Sequence, residues 1–227
     1  MSDGHLGLPD GIRACLFDLD GVLTDTASVH AQAWQRVFAG LGFDDEAYRR
    51  YVDGRRRSDG ARAFLAARGV AATESQIAKI AREKDDLFLA TIRREGVRRY
   101  EDSVAYARAA VAAGLPAAIV SASRHCAEVL ESAGLADLFT VRVDGVVAGT
   151  RDLRGKPAPD TFLHAAELLG VEPAACAVFE DALAGVEAGR AGGFGWVVGV
   201  ARGADPAELL AHGADVAVGD LADLRSP

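Results

Sequence analysis

From about residue 101 onward, short apolar runs alternate with helix-length segments that each stop at a glycine, and this alternation leaves the chain few architectures. The apolar runs are residues 117–120, 139–143, 177–179, 196–200 and 216–218. A helix expected over 101–113 closes at Gly114, and later ones close at Gly134, Gly170, Gly192 and Gly213, where glycine suits a helix C-terminus. Continuous apolar strands separated by helices of roughly 10–15 residues build βαβ units, whose parallel sheet is covered on both faces. The expected fold class is α/β with three layers and a central parallel sheet. One more apolar run, residues 14–17, precedes the series and supplies its first strand.

Residues 27–100 break the rhythm. Helical spacing runs through Val29, Ala33, Val37 and Phe38, then Ala63, Phe64 and Ala67, then Ile77, Ile80, Leu87 and Ile92, and no strand pattern interrupts it. The simplest organisation is an all-helical insertion, residues 27–100, in an α/β core made of residues 8–26 and 101–227.

Half of the 227 residues are hydrophobic, enough for a sizeable core, and the formal net charge is −8. That balance argues against nucleic acid, which is held by clustered Lys and Arg on a basic face. The three cysteines, Cys15, Cys126 and Cys176, are far apart and fit neither a disulfide framework nor a zinc site. They read as buried apolar residues. No run approaches the ~18 apolar residues of a membrane span, and the first residues lack the basic and apolar regions of a signal peptide. No membrane partner and a cytoplasmic location are therefore expected.

The first strand ends in FDLDGVLTDT, residues 17–26, which sets Asp18 and Asp20 directly after it and Asp25 soon afterwards. In an open parallel sheet, ligands gather at the carboxyl ends of the strands. The strand ending at Val120 delivers Ser121, Ala122 and Ser123 there, and the one ending at Phe179 delivers Glu180 and Asp181. Four converging carboxylates repel one another unless a cation sits among them. An all-oxygen set of this kind suits Mg²⁺, which is commonly held by a few carboxylates plus a substrate phosphate. Phosphoryl transfer accounts for the rest: one carboxylate attacks phosphorus, a second passes the proton, and Lys156 in GKPAPD is a fixed positive charge for the moving group. The Ser121 hydroxyl and neighbouring backbone N–H groups suit the remaining phosphoryl oxygens.

FDLDGVLTDT, VSASR, GKPAPD and VFEDALAGVEAG resemble, in order and approximate separation, the four motifs of the haloacid dehalogenase superfamily. The resemblance covers essentially the whole chain. TDTASVHAQAW, with Thr26, His30 and Trp34, is similar to the β-phosphoglucomutase-like branch. The resemblance implies a Rossmann-like core with a mobile helical cap over 27–100. It implies Asp18 as the nucleophile that becomes phosphorylated and Asp20 as general acid/base. Mg²⁺ would be held by Asp18, the Asp20 carbonyl and Asp181, with Glu180 beside them. Ser121, Ala122 and Lys156 match positions that bind the transferring phosphoryl group, and His30 matches a hinge residue that places the acid/base.

The cap loop of that branch, Lys-Gly-x-x-Arg-x-x-Ser, corresponds to residues 53–60, DGRRRSDG. Gly54 and Arg57 match, whereas Asp53 and Gly60 depart, and Arg55 and Arg56 add charge that the pattern does not require. The resemblance implies that Arg57 grips a non-transferring phosphate with Ser123 and Arg124 of the core, and that Lys84 is a further cap lysine. His125 replaces the usual Asn after the basic residue. The expected activity is a phosphotransferase acting as a monomer, with a dimer as the alternative state, on a small phosphorylated sugar and interconverting β-glucose 1-phosphate and glucose 6-phosphate. The alternative is a phosphatase of a sugar phosphate or related metabolite, which differs in admitting water to the phosphorylated aspartate. A silent binding module that keeps only the fold is a third reading, opposed by the intact carboxylates, Ser121 and Lys156.

Overall fold

The computed structural model describes residues 6–202 and 205–225, so residues 203, 204, 226 and 227 of the expected core segment lie outside it. Six strands, β1 Ala14–Phe17, β2 Ala117–Val120, β3 Val141–Val143, β4 Cys176–Glu180, β5 Trp196–Val200 and β6 Val216–Val218, form one sheet. Every pairing is parallel and the spatial order is β3-β2-β1-β4-β5-β6. This is the doubly wound, Rossmann-like order, in which the chain leaves the central strand in both directions and opens a crevice at the strand ends. Phe17 pairs in register with Ile119 on one side and Phe179 on the other, so the residues that follow these strands emerge at one level.

Side-chain alternation explains why β1 is apolar throughout. Cys15 and Phe17 join one buried cluster, with Ile119, Tyr106 and Phe179, while Ala14 and Leu16 join another on the opposite face, with Val120, Phe162 and Val178. Phe17 and Phe179 stack with ring centroids 4.5 Å apart.

Four helices precede the second strand's own helix. They are α1 Thr26–Val37, the short α2 Asp45–Ala47, α3 Arg57–Ala67 and α4 Glu74–Glu95, followed by α5 Glu101–Ala112. The first four form the inserted cap and bury an aromatic-rich cluster of Trp34, Phe38, Phe64 and Ile77. α4 starts at a capping box between Thr73 and Gln76 and runs long enough for its second half, Phe88 and Ile92, to pack into the core cluster. Two strands of connecting chain lie side by side beneath the cap: Thr24 bridges Arg99, and the Tyr100 and Asp25 amides donate to the carbonyls of Leu23 and Arg98, each at 2.9 Å.

The remaining helices are α6 Cys126–Ser132, α7 Gly145–Thr150, α8 Asp160–Leu169, α9 Leu183–Ala191 and α10 Pro206–Ala211. The third strand and the cap both depart from the sequence pattern. The third strand begins at Val141 rather than at residue 139, because Phe139 packs against Phe17 at 6.0 Å instead of extending the ladder. Residues Tyr48–Val52 form a π-helical turn between α2 and the cap loop, a geometry that tends to appear where a side chain must be aimed. No helix among the described residues is long and apolar enough to cross a membrane.

Candidate active site

Asp18 extends the line of β1: its amide donates to the Phe179 carbonyl at 2.9 Å, and its side chain is buried at the sheet's carboxyl edge. Carboxylate oxygens of Asp18, Glu180 and Asp181 come within 4.8 Å of one another. Lys156, only 3 % exposed, enters from the loop before α8 and donates to Asp18 Oδ1 at 2.5 Å, to the Val120 carbonyl at 3.0 Å and to Glu180. Burial alone lowers the Lys156 pKa, but the facing Asp18 and Glu180 carboxylates reverse this and raise it. The ammonium is permanent here. Glu180 is fully buried and also accepts from the amides of Asp181 and Ala182 at 3.1 and 3.2 Å.

Burial raises the pKa of Asp18 well above the carboxylate range, Glu180 and Asp20 add to that, and Lys156 opposes it. Asp181 is raised in the same way, by burial and then by Asp53, Glu180 and Asp18. Three carboxyl groups facing one lysine, too crowded to ionise together and made wholly of oxygen donors, fit a hard divalent cation.

Asp20 departs from the expected convergence of four carboxylates. Its side chain turns away from the cluster because better donors lie on the other side: the Thr26 hydroxyl at 2.5 Å, the Ser121 hydroxyl at 3.1 Å, and His30 Nε2 at 3.5 Å. Burial pushes Asp20 up, but hydrogen bonds from His30, Thr26 and Ser121, with the His30 charge whenever that ring is protonated, bring it down to about 2. Asp25 turns from the cluster, pairing with Arg98 and accepting from the Tyr100 hydroxyl at 3.2 Å.

The cap supplies the opposite wall. His30 stacks flat on Phe88 with centroids 4.1 Å apart, and Lys84, 1 % exposed, donates to its Nδ1. Burial and the Lys84 charge lower the His30 pKa. The neutral tautomer that satisfies this contact keeps its proton on Nε2, facing Asp20. Burial, then the Arg57 charge, lowers Lys84 to about 7. Lys84 thus lines the cavity while meeting His30.

Gly54 sits at φ +66°, and a Cβ there would press on Ala182 at 2.9 Å, so its absence lets the cap loop lie against the loop after Asp181. Asp53 beside it is pushed up to about 7, mainly by burial. Arg57 is bound to Asp85, and His125 Nε2 meets the other oxygen of Asp85 at 3.0 Å. Ala122 and Ser123 line the cavity with Asp18 and Asp20, whereas Arg124 is exposed and lines a separate outer groove. Ser123 is partly engaged, its amide donating to Ser121 Oγ and its hydroxyl accepting from the His125 amide, each at 3.1 Å.

Sequence reasoning missed Tyr48 and Asp85, which both line this cavity. Asp85 lies in the run Lys84-Asp85-Asp86, whose charge reads as a solvated helix face, and nothing local marks Tyr48. The cavity encloses about 50 Å³, far less than the ~300 Å³ or more of an ordinary ligand pocket. Cap and core residues line it together.

Residues 12–193 match the model of the haloacid dehalogenase-like hydrolases. A β-phosphoglucomutase of Mycobacterium bovis is 46% identical, over 96% of this chain and 94% of that protein. A fructose-1-phosphate phosphatase of Escherichia coli is 33% identical, over 78% of this chain and 91% of its own. The crystal structure of a β-phosphoglucomutase from Clostridium difficile superposes with a TM-score of 0.79 at 27% identity, covering 94% of this chain and 93% of that one.

Proposed function

Because the chain belongs to the haloacid dehalogenase-like hydrolases, an enzyme family of phosphomutase and phosphatase type, we propose that it is a Mg²⁺-dependent phosphotransferase that interconverts β-glucose 1-phosphate and glucose 6-phosphate through phospho-Asp18. One observation carries this reading: two aspartates two residues apart occupy opposite environments. Asp18 lies among carboxylates against Lys156, and Asp20 is held ionised near a pKa of about 2 by Thr26, Ser121 and His30. Divergent environments are how paired carboxyl groups take separate roles.

Asp18, Asp181 and the Asp20 carbonyl are the residues that would hold Mg²⁺, with Glu180 anchoring Lys156 beside them. The bound cation would supply charge neutralisation for the cluster and for the phosphoryl oxygens. Starting from phospho-Asp18, the sugar 6-hydroxyl attacks phosphorus as its proton passes to Asp20, and the Asp18 O–P bond breaks. An ionised Asp20 suits that first task. After the bisphosphate turns round, Asp18 attacks the 1-phosphate, the sugar C1 oxygen leaves with the proton from Asp20, and phospho-Asp18 is restored. Lys156 and Ser121 hold the moving group. The Lys84–His30 pair keeps an N–H aimed at Asp20, a contact available only while the cap is closed.

The division of labour follows the domains: residues 8–26 and 101–227 carry the chemistry, and residues 27–100 open to admit substrate and close to exclude water. In this reading the enzyme acts in the cytoplasm as a monomer, and Arg57 takes the non-transferring phosphate.

The test supplies Mg²⁺, β-glucose 1-phosphate and catalytic glucose 1,6-bisphosphate, following glucose 6-phosphate and inorganic phosphate separately. Isomerisation well ahead of phosphate release, lost in Asp18→Asn, is expected. Phosphate release at full rate without isomerisation or primer dependence would replace this reading with a sugar phosphatase. The second reading is favoured by Asp53, a carboxylate where the mutase loop pattern carries lysine.

A further inference from the structure

Asp85 makes contacts that the mechanism does not use. It sits on α4, its side chain 22 % exposed, and holds two cationic or donor groups from two other elements: Arg57, the first residue of α3, and His125, before α6. One contact is within the cap, and the other crosses from cap to core. The same three-way junction is a wall between two spaces. Asp85, Arg57 and Ala122 line both the small cavity over Asp18 and an open groove of about 500 Å³ outside it.

That groove is strongly basic for a chain of net charge −8. Arg56, Arg82 and Arg124 line it together with Arg57, and Asp85 is the one carboxylate among its lining residues. Arg56 Nη2 is buried without a hydrogen-bond partner. Arg57 and His125 thus converge on one acceptor, and it is a side chain of the protein itself. A carboxylate and a phosphate present the same oxygen edge to guanidinium, so Asp85 stands where a phosphate would stand. Asp85 is held below its usual pKa, burial being outweighed by its bonds to Arg57 and His125, and it keeps its charge at neutral pH.

We propose that Asp85 is a resident counter-anion that determines specificity: it occupies the Arg57 and His125 donors required by a substrate's non-transferring phosphate, so a doubly phosphorylated ligand binds only by displacing it. The proposal rests on the phosphotransfer reading, which identifies Arg57 as the distal phosphate donor. In the ligand-free protein the Asp85–His125 contact staples the cap helix to the core and helps keep the cavity small. When a second phosphate arrives, Asp85 exchanges partners. Arg82, three residues earlier on the same helix, is a neighbour on that face able to receive it. The self-competition weakens the grip on a bisphosphate relative to a monophosphate seated at the transferring position.

The experiment compares Asp85→Asn with the unsubstituted Asp85, both in an Asp18→Asn background with Mg²⁺ to prevent turnover, by calorimetric titration with glucose 1,6-bisphosphate and with glucose 6-phosphate. Removing the charge is expected to tighten the bisphosphate about tenfold relative to the monophosphate, the scale of one displaced charge-assisted contact. Asp85→Glu, which keeps the charge, is expected to leave the ratio of the two affinities near that of the parent. An unchanged ratio in Asp85→Asn, a tighter grip on both ligands alike, or weaker bisphosphate binding overturns the proposal. Binding needs no turnover, so these outcomes bear on Asp85 alone, and the isomerisation assay bears on the phosphotransfer reading alone.

Discussion

Replacing Gly185 by alanine sets local preference against tertiary packing. Gly185 is the third residue of α9, and alanine there improves intrinsic helix stability by about 1 kcal/mol. A Cβ at this position, however, would overlap the Glu180 carboxylate on both oxygens and the carbon between them. Glu180 is fully buried and has no room to yield. Moving it breaks the Lys156 contact and withdraws the acceptor from two amides, Asp181 N at 3.1 Å and Ala182 N at 3.2 Å. Each buried N–H left unpaired costs about 1–3 kcal/mol, so after the helix gain a net loss of roughly 3 kcal/mol remains. For a chain of this length that lowers the melting temperature by roughly 6–12 °C. Gly149 in α7 is the control, since a Cβ there meets nothing within 4 Å, and alanine should stabilise by about 0.5–1 kcal/mol. Thermal unfolding by circular dichroism, with phosphate release measured in parallel, reads both variants. A Gly185→Ala protein that melts at or above wild type with full activity would refute the reasoning.

Three further outcomes are expected. Asp181 has a raised folded-state pKa, so the metal-free protein gains stability from its protonated form at low pH and loses it as pH rises above the ordinary carboxylate range of about 4. Metal-free Asp181→Asn should therefore melt higher than wild type at pH 7 yet gain less from Mg²⁺, and a thermal-shift comparison with chelator and with Mg²⁺ decides it; a lower metal-free melting point counts against the crowded cluster. Asp20 has a depressed folded-state pKa of about 2, and its stabilising contribution is present above about pH 4 and lost as pH falls through the folded value. Ser121→Ala removes one donor and should raise that pKa by roughly one unit, so urea unfolding curves of variant and wild type diverge from neutral pH and approach each other in acid; a gap that stays constant to pH 3 would sink the assignment. Lys84→Met keeps the buried stem but removes the donor to His30, and should lower kcat about 10- to 100-fold with little change in KM; an unchanged kcat would show that His30 needs no such partner.

The sheet was largely legible because its signal is local. Buried parallel strands are continuous apolar runs, and β2, β5 and β6 have the bounds that their runs suggest. β4 extends to Glu180, which pairs with Gly199, and no local rule places a buried carboxylate inside a strand. Its place depends on Lys156, 24 residues away. α7 was invisible for the opposite reason: Gly145-Val146-Val147-Ala148-Gly149-Thr150 is a poor helix former. Asp144 caps it by accepting from the Val146 and Val147 amides at 2.9 and 3.0 Å, and Arg142 holds Asp144 in turn.

The positions of Asp18, Asp20, Ser121 and Asp181 followed from the sequence, because a residue that ends a strand of a parallel sheet must reach the same edge as its neighbours. What those groups meet did not follow. The turning of Asp20 toward Thr26 and His30, the capture of Arg57 by Asp85 and the approach of Asp53 to the acidic cluster depend on how the cap lies on the core. The pattern of apolar residues acts over a few positions and sets the elements, whereas a charged side chain selects its partner from everything within a few ångströms, and only the folded chain decides what that includes.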